Sequence, residues 1–195
     1  MDNGKSYVYF IVGIFLIGMT THSISATELQ DVSSLYGVDS MFVKVSDLDP
    51  EIQKELKKGG LDLRLLNYVI ERKLENAGIR VLSDDEYQSH QQKNMLFLKL
   101  QILPQELIQK HIYSVDGVRL PKSGPENRYL YMTRLEFHQS VFLQQNPDIK
   151  VLAVTWGTDS LGYRRLLRIQ EDINGLVDAF ISDFKIANPK PVETK

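Results

Sequence analysis

The residues best spaced for chemistry are Arg134, Glu136 and His138, within the run "YLYMTRLEFHQSVFLQ" from Tyr129 to Gln144. The run alternates as a strand does. Tyr129, Tyr131, Leu135, Phe137, Val141 and Leu143 share one parity, and Arg134, Glu136, His138 and Ser140 share the other. Side chains two residues apart on a strand stand about 7 Å apart on one face. A guanidinium, a carboxylate and an imidazole at that spacing could exchange a proton with a substrate or water held between them. The same pattern also suits the wetted side of a sheet that is covered on its other face.

Two further groups are candidates for binding. Trp156, the only tryptophan, has the opposite parity to Val151 and Ala153 in "VLAVTWGTD". Its ring is therefore either a stacking platform for sugar or peptide or a core residue. In "YRRLLR" (Tyr163 to Arg168), Arg164, Arg165 and Arg168 gather at the start of a helix. Cations there oppose the helix dipole. An anionic partner would relieve the mismatch, and so would salt bridges to Asp159, Glu171 or Asp172.

Other chemistries lack a signature. The absence of cysteine excludes disulfides, thiolate catalysis and thiolate zinc sites. The histidines show no H-x-H or H-x-x-x-H spacing, so no metal site is expected. No G-x-S-x-G occurs, and Ser160 in "TDSLG" lacks a strand–elbow–helix setting. "KKGG" lacks the glycine spacing and the Lys-Ser/Thr of a phosphate loop, and no cofactor is expected. With 23 basic and 25 acidic residues the net charge is −2, which argues against a nucleic-acid binder.

The elements that would position these residues read as follows. "MFVKV" (Met41 to Val45) is a strand, and "SDLDPEIQKELKKGG" a loop with one helical turn, broken by Pro50 and Gly59-Gly60. In "LDLRLLNYVIERKLENAG", Leu66, Val69, Ile70, Leu74 and Ala77 form an amphipathic stripe, and Gly78 stops the helix. "IRVL" (Ile79 to Leu82) is a short strand. Ser83 and Glu86 have the capping-box spacing for a short helix from Asp84 to about Gln91. "MLFLKLQIL" (Met95 to Leu103) is a central strand, with a continuation at Leu107 to Tyr113. Ser114 to Arg128 is an exposed loop and a candidate contact surface. Tyr129 to Gln144 and Val151 to Asp159 form a hairpin turned by "QNPDIK". Leu166, Ile169, Ile173, Leu176, Val177, Phe180, Ile181 and Phe184 trace the final helix. The expected fold is α+β: a two-layer sandwich of a mainly antiparallel sheet with two long helices on one face.

The N-terminus bears on compartment. In "KSYVYFIVGIFLIGMTTHSISA" one charge, Lys5, precedes an apolar block from Tyr7 to Met19. About 13 residues suits a secretory h-region and falls short of the roughly 18 a spanning helix needs. Ser23 and Ser25 suit a cleavage site near Ser25 or Ala26. The expected organisation is a signal peptide over 1–26, a flexible leader over 27–39, one α+β domain over 40–188 and a polar tail over 189–195. The roughly 170 residues that remain can hold a core without staples. The expected location is the periplasm or exterior of a bacterium, with no stable transmembrane anchor after processing.

The order "MFVKVSDL … GLDLRLLNYVIERKLENAGIRVL … LFLKLQI … VLAVTWGTD … INGLVDAFISDFKIAN" resembles small bacterial envelope domains of the TolB N-terminal type. The resemblance implies an α/β layout, no catalytic residues and a role in protein assembly. The functional expectation is a non-enzymatic exported interaction or envelope-assembly module, partnered by another envelope protein or an anionic envelope component. Edge strands could take a partner strand. The alternative is a small exported hydrolase or ligand-binding enzyme built on Glu136 and His138 with Arg134.

Overall fold

The computed structural model describes residues 29–30, 32–104 and 128–189. The expected signal segment, the strand continuation at 107–113, the loop at 114–127 and the tail from 190 onward lie outside the described residues. One sheet organises the rest. Its strands are β1 (Leu29–Gln30), β2 (Ser40–Val45), β3 (Arg80–Leu82), β4 (Met95–Pro104), β5 (Tyr129–Leu143) and β6 (Asn146–Arg164), in the order β1-β6-β5-β4-β2-β3. The β1–β6, β6–β5 and β5–β4 pairings are antiparallel, whereas β2 runs parallel to both β4 and β3. The fold is α+β, as its sequence predicts, and the sheet is mixed.

Among the described residues four α-helices accompany it: α1 (Pro50–Lys58), α2 (Leu63–Asn76), α3 (Asp84–Ser89) and α4 (Leu166–Ala187). The two long helices bury their stripes on one side of the sheet. Leu66, Ile70 and Leu74 of α2 join Ile169, Ile173, Val177 and Phe180 of α4, packing with Met41, Val43, Leu96, Leu98, Leu135 and Phe137. Lys73 ties the two helices, with Nζ 2.7 Å from Asp178 and 3.1 Å from the Asn174 carbonyl. The helix ends follow their local chemistry. Asp62 caps α2 at the Arg64 N–H, and Gly78 follows it at φ 84°, where a Cβ would be strained. Ser83 and Glu86 form the expected reciprocal capping box.

Three stretches differ from the sequence reading. Pro50 does not break a loop; it opens α1 at its first position, where its missing N–H costs nothing, and Asp49 accepts from the Glu51 N–H. The stretch given to a leader is structured where described: β1 pairs with Trp156 and Gly157, and Leu35, in a short 3-10 helix (Val32–Leu35), is fully buried. Finally, β6 does not end at Asp159, as the hairpin reading had it, but runs on through Gly162 to Arg164. A Cβ at Gly162 would lie 2.7 Å from the Tyr131 hydroxyl, so packing demands glycine there.

The largest correction concerns Trp156, which is fully buried and no stacking platform. Phe137 pairs with Trp156 and His138 with Val154, so Thr155 is an extra residue opposite a single step of β5. An inserted residue of this kind is a β-bulge, and it reverses the parity of everything beyond it on that strand. Val154 shares the side of His138, while Trp156 turns under the helices. Its ring lies 5.0 Å from Phe180, edge to face, and its Nε1–H donates to Asp183 at 2.9 Å. Phe180 also meets Phe137 at 5.6 Å and Phe184 at 6.1 Å. Phe180→Ala is expected to cost about 3–5 kcal/mol of folding stability, read by chemical denaturation, because it empties the centre of this aromatic cluster.

Candidate functional site

The sheet face away from the two long helices carries Arg134, Glu136 and His138 together, as the β5 alternation predicts. Three cross-strand neighbours from β4 complete the patch, since Met95 pairs with His138, Phe97 with Glu136 and Lys99 with Arg134. Glu136 is only 3% exposed, and both its oxygens are engaged. Its Oε2 lies 2.7 Å from Lys99 Nζ and 2.9 Å from His138 Nε2, and its Oε1 3.2 Å from Arg134 Nε. The ring of Phe97 lies beneath this group. Lys99 sits 5.6 Å and Lys44 6.0 Å from its centroid, and His138 packs edge-on at 6.0 Å.

Burial pushes the Glu136 carboxyl up, but the bonds from Lys99 and His138 and the charges of Lys99 and Arg134 outweigh it. The carboxyl is held below the ordinary value of 4.5. A carboxylate so occupied is a poor general acid or base, because its lone pairs already hold cations. Arg134 is the register partner of Asp159, yet its Nε turns to Glu136. The Asp159 Oδ1 atom is buried with no hydrogen-bond partner among the described residues. Lys99 escaped the sequence reading because its place beside Glu136 depends on β4–β5 register. The signal available was a lone charged residue in a mostly apolar strand.

The arginine cluster divides. Arg164 ends β6 rather than starting the helix, and its Nε lies 3.5 Å from Asp172. Asp172 also accepts from the Tyr131 hydroxyl, whose pKa rises to about 12 through burial and that bond. Arg168 bonds Glu171 at 2.5 Å. Arg165 stands at the N-cap of α4, its carbonyl accepting from the Arg168 and Ile169 N–H groups. Two of the three arginines thus meet the acids set against an external anion above.

A second region presents itself beyond the bulge. From His138 to Val154 the hairpin leaves the helix layer, and its apolar side chains are uncovered. Phe142 is 64% and Leu152 47% exposed, with Leu143, Ile149, Val151 and Val154 also exposed. The turn falls at Gln144 and Gln145, so "NPDIK" belongs to β6. Six residues past Phe137, at about 3.3 Å each, carry the tip roughly 20 Å outward. Elsewhere a shallow groove of about 550 Å³ is lined by Asp39, Arg80, Glu86 and His90. Arg80 and Glu86 are there paired to each other at 2.9 Å. Among the described residues no cluster of three or more His, Asp or Glu could hold a metal ion. Nor is any described helix long and apolar enough to cross a membrane.

No known family profile and no curated protein matches the chain. Among solved structures it is similar to a neuraminyllactose-binding hemagglutinin homolog from Helicobacter pylori, at 14% identity and a TM-score of 0.31, over 79% of this chain and 84% of that one. It is also similar to a minor lipoprotein from Acinetobacter baumannii, at 10% identity and a TM-score of 0.26, over 78% and 92%. Neither description shows a TolB-like relation. At these scores neither likeness carries an argument about this chain's fold or role.

Glu136→Gln is expected to lower stability by about 1–3 kcal/mol at neutral pH, because it uncouples a charge-assisted cluster. The carboxyl is depressed in the folded state, so its contribution is complete above the ordinary value of 4.5 and fades as pH falls through the depressed one. Denaturation at a series of pH values should show wild type and variant converging in acid.

Proposed function

We propose that the chain is an exported, non-enzymatic interaction or assembly module of the bacterial envelope, working through the β5–β6 hairpin. The observation that carries this reading is the hairpin itself. A two-stranded ribbon is marginal alone in water, and a cluster of exposed large apolar side chains marks an interaction surface more often than a solvated one. The "YVYFIVGIFLIGM" segment supports export, and the layout resembles TolB-like domains that act in protein assembly.

The hydrolase alternative needs Glu136 free to exchange a proton and a site that encloses a substrate. Glu136 instead bonds Lys99, Arg134 and His138 on an open sheet face. The patch reads as a structural ion cluster. The partner in view is a protein, since strand edges and apolar ribbon faces are recognised by other strands.

A photo-crosslinking residue at Leu152, introduced in cells that export the chain, should give a protein adduct. The same probe at Arg72, on the exposed side of α2, should give none. Adducts absent from Leu152, or equal at both sites, would overturn the reading.

A further inference from the structure

Asp159 is half-buried on β6, and its Oδ1 atom is buried with no hydrogen-bond partner among the described residues. A carboxylate oxygen in that position loses its hydration and gains no donor in return. A strand inside a sheet has neighbours on two sides. On the β5 side the register partner of Asp159 is Arg134, whose Nε is taken by Glu136 at 3.2 Å. On the other side lies the line of β1, which pairs antiparallel with β6 through Leu29 opposite Gly157 and Gln30 opposite Trp156.

Antiparallel register extends by counting, since each step back along one strand is a step forward along the other. Continued past Leu29, it sets Glu28 opposite Thr158 and Thr27 opposite Asp159. The leader pattern admits a cut after Ser25 or after Ala26. The two cuts are not equivalent against this register. Small residues at Ser23 and Ser25 suit the first, but it would begin the chain at Ala26, opposite Ser160 and one residue past the carboxylate. The second begins the chain at Thr27, so that an α-ammonium faces Asp159. Opposed Cα atoms of an antiparallel pair stand about 4.5–5.5 Å apart, and an amino nitrogen about 1.5 Å from its own Cα. Ammonium and carboxylate are then within contact distance.

We propose that the Ala26–Thr27 bond is hydrolysed during export and that the α-ammonium it frees pairs with Asp159, fastening the mature N-terminus to the β6 edge. The step is a peptide hydrolysis by a peptidase that selects small residues before the cut. The water oxygen joins the Ala26 carbonyl as a carboxylate, and both water hydrogens pass to the Thr27 nitrogen to make its ammonium. A chain still joined to its leader offers an uncharged amide at the same place. The edge is therefore completed only in the processed chain, and a charged end there meets its counter-charge inside the molecule. The inference rests on the export part of the reading above and adds a processing bond and the residue that receives its product.

The test uses the chain as exporting cells deliver it. Intact mass and N-terminal sequencing are expected to show a start at Thr27. Acylation of amines at neutral pH, followed by peptide mass spectrometry, then reports on the ammonium. Thr27 should react about tenfold more slowly in wild type than in Asp159→Asn, a factor that matches one charge-assisted hydrogen bond. Asp159→Ser, a second way to remove the charge, should behave as Asp159→Asn does. Asp159→Glu should keep part of the protection, because it keeps the charge. Denaturant should erase the differences, and circular dichroism should show the variants folded.

An exported chain that starts anywhere but Thr27 overturns the proposal. So does a Thr27 amine that reacts equally fast in wild type and in both charge-removing variants. Either result leaves the export reading standing. A chain recovered only from inside the cell with Met1 still in place overturns processing and export together.

Discussion

One extra residue in β6, Thr155 opposite the Phe137–His138 step, decides which side of the sheet each part of the molecule serves. On one side of it the strand must deliver Trp156 to the aromatic cluster under α4, where Phe180 and Asp183 receive it. On the other, Val154 must join His138 on the face opposite the helices. Strict alternation cannot satisfy both, because Val154 and Trp156 would then share a face. The bulge removes that conflict. It also adds local twist and bend, which suits a strand that leaves the helix layer at that point and continues as a free ribbon.

The two faces solve different electrostatic problems. On the open face, the desolvation of Glu136 is offset by three donors drawn from two strands, so the ion cluster couples β4 to β5 at mid-sheet. At the helix end, arginines that oppose the α4 dipole are compensated within the chain, Arg164 by Asp172 and Arg168 by Glu171. Charge on both sides is largely self-consumed. On the hairpin, apolar surface and the strand edge stay uncovered among the described residues.

The parts readable from the chain alone were those governed by local rules. The α2 stripe with Gly78 after it, the Ser83–Glu86 box and the shared face of Arg134, Glu136 and His138 each follow from residues a few positions apart. The misreadings came where distant partners decide. Pro50 breaks or begins a helix according to whether Asp49 caps it, and the extension of β6 past Asp159 through Gly162 rests on packing against Tyr131. For Trp156, parity against Val151 and Ala153 left a stacking platform open beside a core place, and that parity argument is valid only if no residue is inserted between them. Lys99 joined the cluster through register that no short window contains. Leu35 looked like part of a polar leader because its burial depends on α4 and β6, more than a hundred residues away.

The emission of Trp156 tests the division into two faces most directly, since it is the only tryptophan in the chain. A ring wedged against Phe180 should emit at short wavelength, resist quenching by iodide and shift red in one cooperative step with unfolding. Native emission that is already red-shifted and freely quenched would mean the ring lies outside. The bulge assignment would then be wrong, the hairpin side chains would sit on the opposite faces, and Trp156 would return as a candidate binding surface.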